Sequence, residues 1–255
     1  MDFKMIESKY YTTKFFEGHE NGALGSAKKV IPLVNEIVKP SSVIDVGCGV
    51  GNWLKVWKED INVERIQGIE GPYLSARLLQ VPVQYVIFQD LKKKFEINER
   101  FDLAMSLEVA EHLPPESADH FIKSLTGLSD IILFSAAIIG QEGTHHVNEQ
   151  PPEYWANIFA RYGYVPVDHL RDKIWNDDEI EWWYQQNLLF YVKESALGNY
   201  PGLTESYKMT NKNLLRIHPW IFYYKDRHVK KTKSWIGYIR WRLYPIKKLV
   251  RKAFK

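Results

Sequence analysis

Three glycines alternate with other residues in the stretch VIDVGCGVGNWL, which covers residues 43–54. Because glycine has no Cβ, the backbone at such positions can approach a ligand closely and can adopt positive φ. Gly47, Gly49 and Gly51 form the pattern G-x-G-x-G, whereas the dinucleotide fingerprint requires G-x-G-x-x-G. The loop therefore predicts close backbone contact with a ligand other than a dinucleotide.

One carboxylate precedes this loop, and two more follow later apolar runs. Asp45 lies two residues before the first glycine, while Glu70 and Asp90 come at the ends of the next two runs. A single acid at such a place is more often a helix cap, but three beside one glycine loop favour a ligand that carries positive charge. S-adenosylmethionine, with its ammonium and sulfonium groups, is such a ligand. We predict it as the cofactor, with Glu70 at the ribose hydroxyls and Asp90 at the adenine amino group.

Histidines supply the candidate base for a methyl acceptor. An alcohol must lose its proton on methylation, and neutral histidine suits that task because its reference pKa is about 6.5. His146, in THHVNEQPPEYW, is the predicted general base, and His145 and Glu111 are the alternative catalytic residues. The structural alternative is that His146 or Asn148 only holds the loop in place and that Glu149 with Gln150 caps the following helix.

Two segments are predicted to contact the acceptor. One follows the histidine pair, and the other is WNDDEIEWWYQQN at residues 175–187, which mixes acids, amides and aromatic rings that suit a sugar. Tryptophan and tyrosine also simply fill protein cores, so this assignment has a structural alternative. The predicted substrate-binding residues are Asn148, Glu149, Gln150, Trp175 and Trp182.

Other chemistries find little support in the residue patterns. No G-x-S-x-G elbow is present for Ser-His-Asp hydrolysis. The pair His145 and His146 with Glu149 lacks the one-face spacing of H-E-x-x-H, so no metal is predicted. Cys48 is the only cysteine, which excludes an internal disulfide and favours a reducing, cytoplasmic location. No apolar run approaches the roughly 20 residues of a membrane span.

Alternating strand and helix patterns explain how these residues come together. Strands are predicted at residues 43–46, 65–69, 83–88, 101–106, 131–134, 164–168 and 188–192. Helices are predicted at 24–38 with a kink or break at Pro32, from 52 to 57, and at 72–79, 115–125 and 152–162. This alternation predicts a mostly parallel sheet covered on both faces, with ligands beyond the carboxyl ends of its strands.

The motifs VIDVGCGVGNWL, IQGIEG and FDLAMSLEVAEHL resemble those of class I S-adenosylmethionine-dependent methyltransferases. The segment SAAIIGQEGTHHVNEQPPEYWANIFARYGY is similar to a narrower group associated with sugar, polysaccharide and natural-product modification. The resemblance covers residues 11–192. It implies a doubly wound Rossmann-like α/β fold whose seven-stranded, mostly parallel sheet contains one antiparallel strand.

The resemblance also implies which residues border the cofactor. The glycine loop would border the methionine part and Gln89 or Asp90 the adenine, while Leu107 and Glu108 after the fourth strand would also border the cofactor. Because His112 follows Glu111 at the start of a helical region, we expect it to have a structural or cofactor-lid role. The family often has Asp where this chain has Glu70. The predicted cofactor-binding residues are Asp45, Gly47, Cys48, Gly49, Gly51, Asn52, Trp53, Glu70, Gly71, Gln89, Asp90, Leu91, Leu107, Glu108, Val109 and His112.

Charge divides the chain unevenly. Residues 201–255 hold 15 Lys/Arg and two acids, whereas residues 1–200 hold 19 Lys/Arg and 29 acids. From residue 234, SWIGYIRWRLYPIKKLVRKAFK repeats apolar residues at helical spacing with basic residues between them, interrupted by Pro245. We predict a methyltransferase domain at 1–195 and a basic amphipathic extension at 196–255. Its expected partner is an anionic membrane surface, its own domain or a second copy in a homodimer. Nucleic acid is disfavoured because the remaining chain is acidic.

The predicted function is O-methylation, dependent on S-adenosylmethionine, of a sugar, nucleotide-sugar or glycan precursor of surface polysaccharide. The expected place of action is the cytoplasm, near the inner face of the membrane. Methylation of another small metabolite or natural product, at nitrogen or oxygen, is one alternative. A non-catalytic cofactor-binding module for a partner is another, and RNA methylation is disfavoured.

Overall fold

The computed structural model describes residues 13–223, 225 and 226, with side chains from residue 22 onward. The predicted amphipathic segment at 234–255 and the first residues of the chain lie outside this described part. Two compact units divide the chain, with their boundary between Arg216 and Ile217. The domain boundary predicted at 195/196 stays a prediction. In the second unit, the rings of Trp220 and Tyr223 are in edge contact at 5.7 Å.

Strands and helices alternate through the first unit. Its strands are β1 (Ser42–Val46), β2 (Arg65–Glu70), β3 (Val86–Phe88), β4 (Leu103–Leu107), β5 (Ile131–Ser135), β6 (Tyr164–Val167) and β7 (Leu189–Lys193). Its α-helices are α1 (Thr13–Val38), α2 (Asn52–Glu59), α3 (Ala118–Leu128), α4 (Pro152–Ala160), α5 (Arg171–Ile174), α6 (Trp182–Asn187) and α7 (Pro201–Met209). Short 3-10 turns cover Ala76–Leu78, Val83–Tyr85, Ala110–His112, Pro115–Ser117 and Glu194–Asn199. None of the described helices combines the length and apolar character that crossing a membrane requires.

The seven strands form one sheet in the order β3-β2-β1-β4-β5-β7-β6. Neighbours from β3 to β5 pair in parallel, while β7 runs antiparallel to both β5 and β6. The predicted seven-stranded sheet with one antiparallel strand is therefore confirmed. Strand order reverses between β1 and β4, and in open sheets of this kind ligands bind beyond the carboxyl ends of the strands at such a reversal.

The central strands are buried on both faces because helices cover them. All residues of β1, β4 and β5 are buried. One apolar cluster contains Val34 of α1 and Trp57 of α2, and another contains Phe121 of α3 and Trp155 of α4. Continuous apolar strands are typical of a parallel sheet packed in this way.

Two predicted elements differ from the structure. The helix predicted at 72–79 is wrong, because this segment contains only the 3-10 turn Ala76–Leu78, none of whose residues is buried, so no core contact supports a longer helix. Likewise, the first part of the strand predicted at 83–88 is the turn Val83–Tyr85. Pro32 does not break α1, which continues through it while Ile31 and Val34 pack in the core.

Candidate active site

The glycine loop after β1 is held against the end of β2. The peptide N–H groups of Gly47 and Cys48 both donate to the Ile69 carbonyl, at 2.8 and 3.2 Å. All three loop glycines have positive φ, at 81°, 54° and 89° for Gly47, Gly49 and Gly51. The tight turn therefore requires the residue type that adopts this conformation without strain.

The three glycines are needed for different reasons. A Cβ at Gly47 would overlap the side chain of Val109, which follows β4, and one at Gly51 would lie 2.9 Å from Val81. A Cβ at Gly49 would meet nothing within 4 Å. The outer two glycines thus allow the loop to pack, and the middle one faces open space in which a ligand can approach the backbone.

Glu70, at the end of β2, is bound to this loop. Its Oε2 accepts the N–H of Gly49 at 2.6 Å, and its Oε1 accepts the N–H of Gly71 at 2.6 Å and the hydroxyl of Tyr73 at 2.7 Å. Only 4% of the residue is exposed. Charge-assisted bonds of this kind hold the carboxylate in place. Sequence analysis did not single out Tyr73.

Asp45 is a second buried acid at the same edge. Burial raises the pKa of Asp45 to about 8, and the charge of Glu70 adds to that increase. A cationic ligand group beside Asp45 would offset both the burial and the repulsion. The acids that precede and follow the loop therefore form an electrostatic environment that suits a cation and disfavours a phosphate.

The predicted adenine contacts follow β3, beside β2. The N–H of Gln89 donates to the Glu70 carbonyl at 2.7 Å, so this segment is tied to the end of β2. Asp90 Oδ1 accepts the N–H of Lys92 at 3.1 Å, which is a turn-capping role, and Leu91 is buried in the core. Binding of adenine by these residues stays a prediction.

Other predicted cofactor residues near the loop have packing roles. The ring of Trp53 meets Tyr184 of α6 edge-on at 5.2 Å and belongs to the core, as does Leu107. Burial also raises the pKa of the Cys48 thiol well above its usual range, and Asn52, the first residue of α2, is buried.

Glu108, directly after β4, is surrounded by amides. Its φ is 55°, and its two carboxylate oxygens accept the side-chain amides of Gln141 at 2.9 Å and Asn187 at 3.1 Å. Gln186 extends this network by donating to Gln141 and Asn187. Burial raises the pKa of Glu108, while the bonds from Asn187, Ser135 and Gln141 oppose the increase. Gln186 and Asn187 belong to the segment 175–187 that was predicted to contact the acceptor, although neither was singled out, and Gln141 was not assigned to the site.

The turn Ala110–His112 joins the loop after β5. The Glu111 carbonyl accepts the N–H groups of Val147 at 2.9 Å and Asn148 at 3.0 Å. The Glu111 side chain is fully buried. Burial and then the charge of Glu108 raise the pKa of Glu111 well above its usual range, against the effect of the peptide groups of Glu111 and Ala137. The two segments that carry the candidate catalytic residues thus form one structural unit.

Two histidine rings meet at this junction. The rings of His112 and His146 are 4.8 Å apart in edge-to-face contact. Burial, followed by the proximity of His146, lowers the pKa of His112 to about 3. His112 is therefore neutral at physiological pH. His145, next in the chain, has φ 60° and does not belong to this ring pair.

A carboxylate orients His146. Its Nδ1 lies 2.8 Å from Glu149 Oε1, and the carboxylate of Glu149 accepts the N–H groups of Gly140 and Glu142, each at 2.7 Å. This arrangement leaves Nε2 of His146 for another partner. A histidine held by a fixed carboxylate has the geometry of an oriented base or of an oriented metal ligand.

The predicted acceptor residues fall into two groups. Asn148 is buried and accepts the amide of Gln150 at 3.0 Å, and both share the loop of His146 and Glu149. Trp175 lies under the guanidinium of Arg216 at 4.3 Å, and the Trp182 ring meets Trp183 at 5.8 Å. Asn148, Glu149 and Gln150 therefore belong to the histidine loop. The contacts given for Trp175 and Trp182 are with Arg216 and Trp183, which lie outside that loop.

Solved structures share this architecture. No protein-family model matches the sequence, and no curated protein matches it. Magnesium protoporphyrin IX methyltransferase from Synechocystis PCC 6803, crystallised with bound SAM, has a TM-score of 0.54 and 18% identity, covering 76% of this chain and 98% of that one.

Two further neighbours are sugar N-methyltransferase KedS8 from Streptoalloteichus sp ATCC 53650 and DesVI from Streptomyces venezuelae. KedS8 has a TM-score of 0.53 and 16% identity, and the match covers 70% of this chain and 91% of KedS8. DesVI has a TM-score of 0.51 and 14% identity, with 73% and 98% covered. This chain therefore has the Rossmann-like fold of S-adenosylmethionine-dependent methyltransferases.

Proposed function

We propose that this protein is a methyltransferase that uses S-adenosylmethionine. The observation that carries the proposal is the pair of buried acids, Asp45 and Glu70, around a glycine loop whose middle residue faces open space. A phosphate ligand would be repelled there, whereas a ligand with positive groups would be attracted. The likeness to a methyltransferase crystallised with bound SAM supports the same cofactor.

This chain's residues fit the cofactor at several places. Asp45 would hold the ammonium group and Glu70 the ribose hydroxyls, while the segment at Gln89 and Asp90 would contact the adenine. The bound cofactor supplies a methyl carbon activated by its sulfonium. The protein aligns the reactants, an effect worth up to about 7–11 kcal/mol in favourable cases.

The acceptor we propose is a hydroxyl of a sugar, nucleotide sugar or glycan precursor. His146 is the residue that deals with the hydroxyl proton, since Glu149 fixes its ring and leaves Nε2 available. A positioned base contributes about 10²–10⁴-fold to such a reaction. Asn148, Glu149 and Gln150 shape the acceptor side of the loop, and Trp175 and Trp182 are proposed to contact the sugar. The alternatives are another small metabolite, including a sugar amine, and a non-catalytic partner module.

The place of action we propose is the cytoplasm, with the basic extension against an anionic membrane. The excess of basic residues in 201–255 supports this part of the proposal. A homodimer made through the extension is the alternative.

Calorimetric titration tests the cofactor directly. The native protein should bind S-adenosylhomocysteine and S-adenosylmethionine, and NAD should not compete. Asp45→Asn and Glu70→Gln should weaken binding at least about tenfold, as expected for loss of a charged hydrogen bond. The matched control Glu116→Gln alters an exposed carboxylate after the turn Ala110–His112 and should bind as the native protein does. Binding of NAD without either methyl compound would overturn the proposal.

A labelled methyl donor then tests the acceptor. The label should move to a sugar or nucleotide sugar in a panel that also contains amines and RNA. Transfer to none of these, with cofactor binding intact, would favour the partner module.

A further inference from the structure

Three side chains at the junction of two loops offer ligand atoms to one point in space. Glu111, His112 and His146 can each supply one oxygen or nitrogen, and these three atoms lie within 4.8 Å of one another. One carboxylate and two imidazoles form a donor set that first-row divalent ions accept. Two ligands of a single ion at about 2.0–2.2 Å lie at most about 4.4 Å apart, so atoms at the upper limit of this separation would move closer by a few tenths of an ångström on binding.

The backbone holds the three residues together. Glu111 and His112 lie in the turn after β4, and His146 lies in the loop after β5. The carbonyl of Glu111 accepts the N–H groups of Val147 and Asn148, so the main chain next to one ligand is bonded to the main chain next to another. Such a preformed arrangement lowers the cost of ordering ligands around an ion.

The peptide groups of Glu111 and Ala137 and the side chain of Glu108 lie near the buried Glu111 carboxylate without forming well-directed hydrogen bonds to it. Among the described residues, neither of its oxygens accepts a hydrogen bond of good geometry, although the side chain is fully buried. A buried polar group without a partner costs about 1–3 kcal/mol, and more when it is charged. Glu108 adds negative charge nearby, but both of its oxygens are taken by Gln141 and Asn187. A bound cation would give the Glu111 carboxylate the well-directed partner that these contacts do not provide.

His146 has the outer contact typical of a metal-binding histidine. Metal ligands of this kind usually donate their second ring nitrogen to a carboxylate, which fixes the tautomer and the ring orientation. Glu149 provides that carboxylate at Nδ1, and it is itself held by Gly140 and Glu142. The remaining nitrogen, Nε2, would bind the ion.

We propose that Glu111, His112 and His146 bind one divalent cation, such as Mn²⁺ or Zn²⁺. Three protein ligands leave coordination positions for water or for an acceptor oxygen. A role for the cation in catalysis rests on the proposed methyl transfer. In that role, His146 is a metal ligand in the cation-bound protein and not the base. An acceptor hydroxyl bound to the cation would have a lowered pKa, and its proton would pass to solvent water. The acceptor oxygen would then bond to the methyl carbon as the bond from that carbon to the sulfonium sulfur breaks, which leaves S-adenosylhomocysteine.

Metal binding is measured without any reference to activity. Full-length protein is stripped with a chelator and titrated with Mn²⁺, whose solution EPR signal is lost on binding, and with Zn²⁺ against a chromophoric chelator. We expect one ion per chain. His146→Gln and Glu111→Gln should each weaken cation binding at least about tenfold. Glu149→Gln, which removes only the outer contact of His146, should weaken it by at most about 100-fold.

Matched controls separate the site from general surface binding. His120→Asn changes a histidine of α3, outside the two loops, and Glu116→Gln changes an exposed acid. Both should retain native affinity for the ion. Circular dichroism and S-adenosylhomocysteine binding verify that each variant folds. If Glu111→Gln does not fold because its carboxyl is buried, the result for His146→Gln serves as the test.

Two results would overturn the cation site. One is the absence of binding of both Mn²⁺ and Zn²⁺, and the other is native affinity in the folded His146→Gln variant. The outcome is independent of the proposed function. If S-adenosylhomocysteine binds and no cation binds, only the cation site is overturned. If a cation binds and the cofactor does not, the cation site is supported and the methyltransferase proposal is overturned.

Discussion

The peptide N–H of Gly49 donates to the carboxylate of Glu70 across a distance of 2.6 Å. Residues predicted to border the methionine part and the ribose of one cofactor are therefore bonded to each other. The bond ties the middle glycine to the end of β2, although a Cβ at this residue would meet nothing within 4 Å. A preorganised loop of this kind lowers the entropic cost of binding.

The stability of the free protein should fall as the pH rises, because Asp45 is buried. Its pKa is about 8 in the folded protein and 3.8 is the reference value, so the folded state holds the proton more tightly. The stabilisation present below about pH 4 is lost between about pH 4 and 8. Asp45→Asn should remove this contribution and stabilise the protein at pH 8 by on the order of a few kcal/mol. Urea unfolding at pH 5 and pH 8 measures the free energy of unfolding of the native protein and of Asp45→Asn. An equal change in this free energy between the two pH values for both proteins would contradict the prediction.

Cofactor binding near pH 7 should release a proton. A positive ligand group beside Asp45 lowers its pKa, so a carboxyl that is protonated in the free protein ionises in the complex. Binding enthalpies of S-adenosylhomocysteine measured in buffers of different ionisation enthalpy report the released protons. Asp45→Asn is the control and should show less release. Equal release from both proteins would point to another group.

Alanine substitutions at two loop glycines should separate folding from binding. Gly47→Ala places a Cβ against Val109 and should lower the free energy of unfolding by more than about 2 kcal/mol, through overlap and unfavourable φ. Gly49→Ala meets open space, so its cost is the positive φ alone, about 1–2 kcal/mol. Its main effect should be weaker cofactor binding. Thermal unfolding with and without S-adenosylhomocysteine measures both quantities; unchanged binding by Gly49→Ala would argue against ligand approach at this residue.

His146→Ala should lower turnover at least about tenfold, within the range for loss of a positioned base. Cofactor affinity should change little, because Asp45 and Glu70 belong to different strand ends. Glu149→Gln should lower turnover less, since it alters only the orientation of the ring. Label transfer and calorimetry on the same preparations provide the two readouts. Native turnover in His146→Ala would assign the residue a structural role.

Truncation after Thr232 should abolish sedimentation with anionic vesicles. The removed residues carry most of the basic charge predicted to face a membrane, and each Lys or Arg near an anionic surface contributes about 1 kcal/mol. Cofactor binding should be retained by the truncated chain. Neutral vesicles are the control, and failure of the full-length protein to sediment with anionic vesicles would remove the membrane partner.

Several features of the fold follow directly from residue patterns. The apolar runs at β1, β4 and β5 predict buried parallel strands, and the glycines and acids at their ends predict a single ligand-binding edge. The structure brings these glycines and acids to one edge because parallel strands place their carboxyl ends on the same side of a sheet, and ligand binding there stays a prediction. The helix predicted at 72–79 was wrong. Its proline indicated a helix start, but the segment has no buried face that would stabilise a helix.

The surroundings of individual side chains depend on packing between distant segments. The amides of Gln141 and Asn187 around Glu108, and the contact between His112 and His146, arise where separate loops meet. Spacing along the chain predicts neighbours only within one helix or strand, which is why the histidine pair with Glu149 did not indicate a metal site. Local patterns of residues thus determined the sheet edge and the acidic residues at it. The cluster of Glu111, His112 and His146 depends instead on the tertiary structure, because backbone hydrogen bonds between two loops bring these residues together.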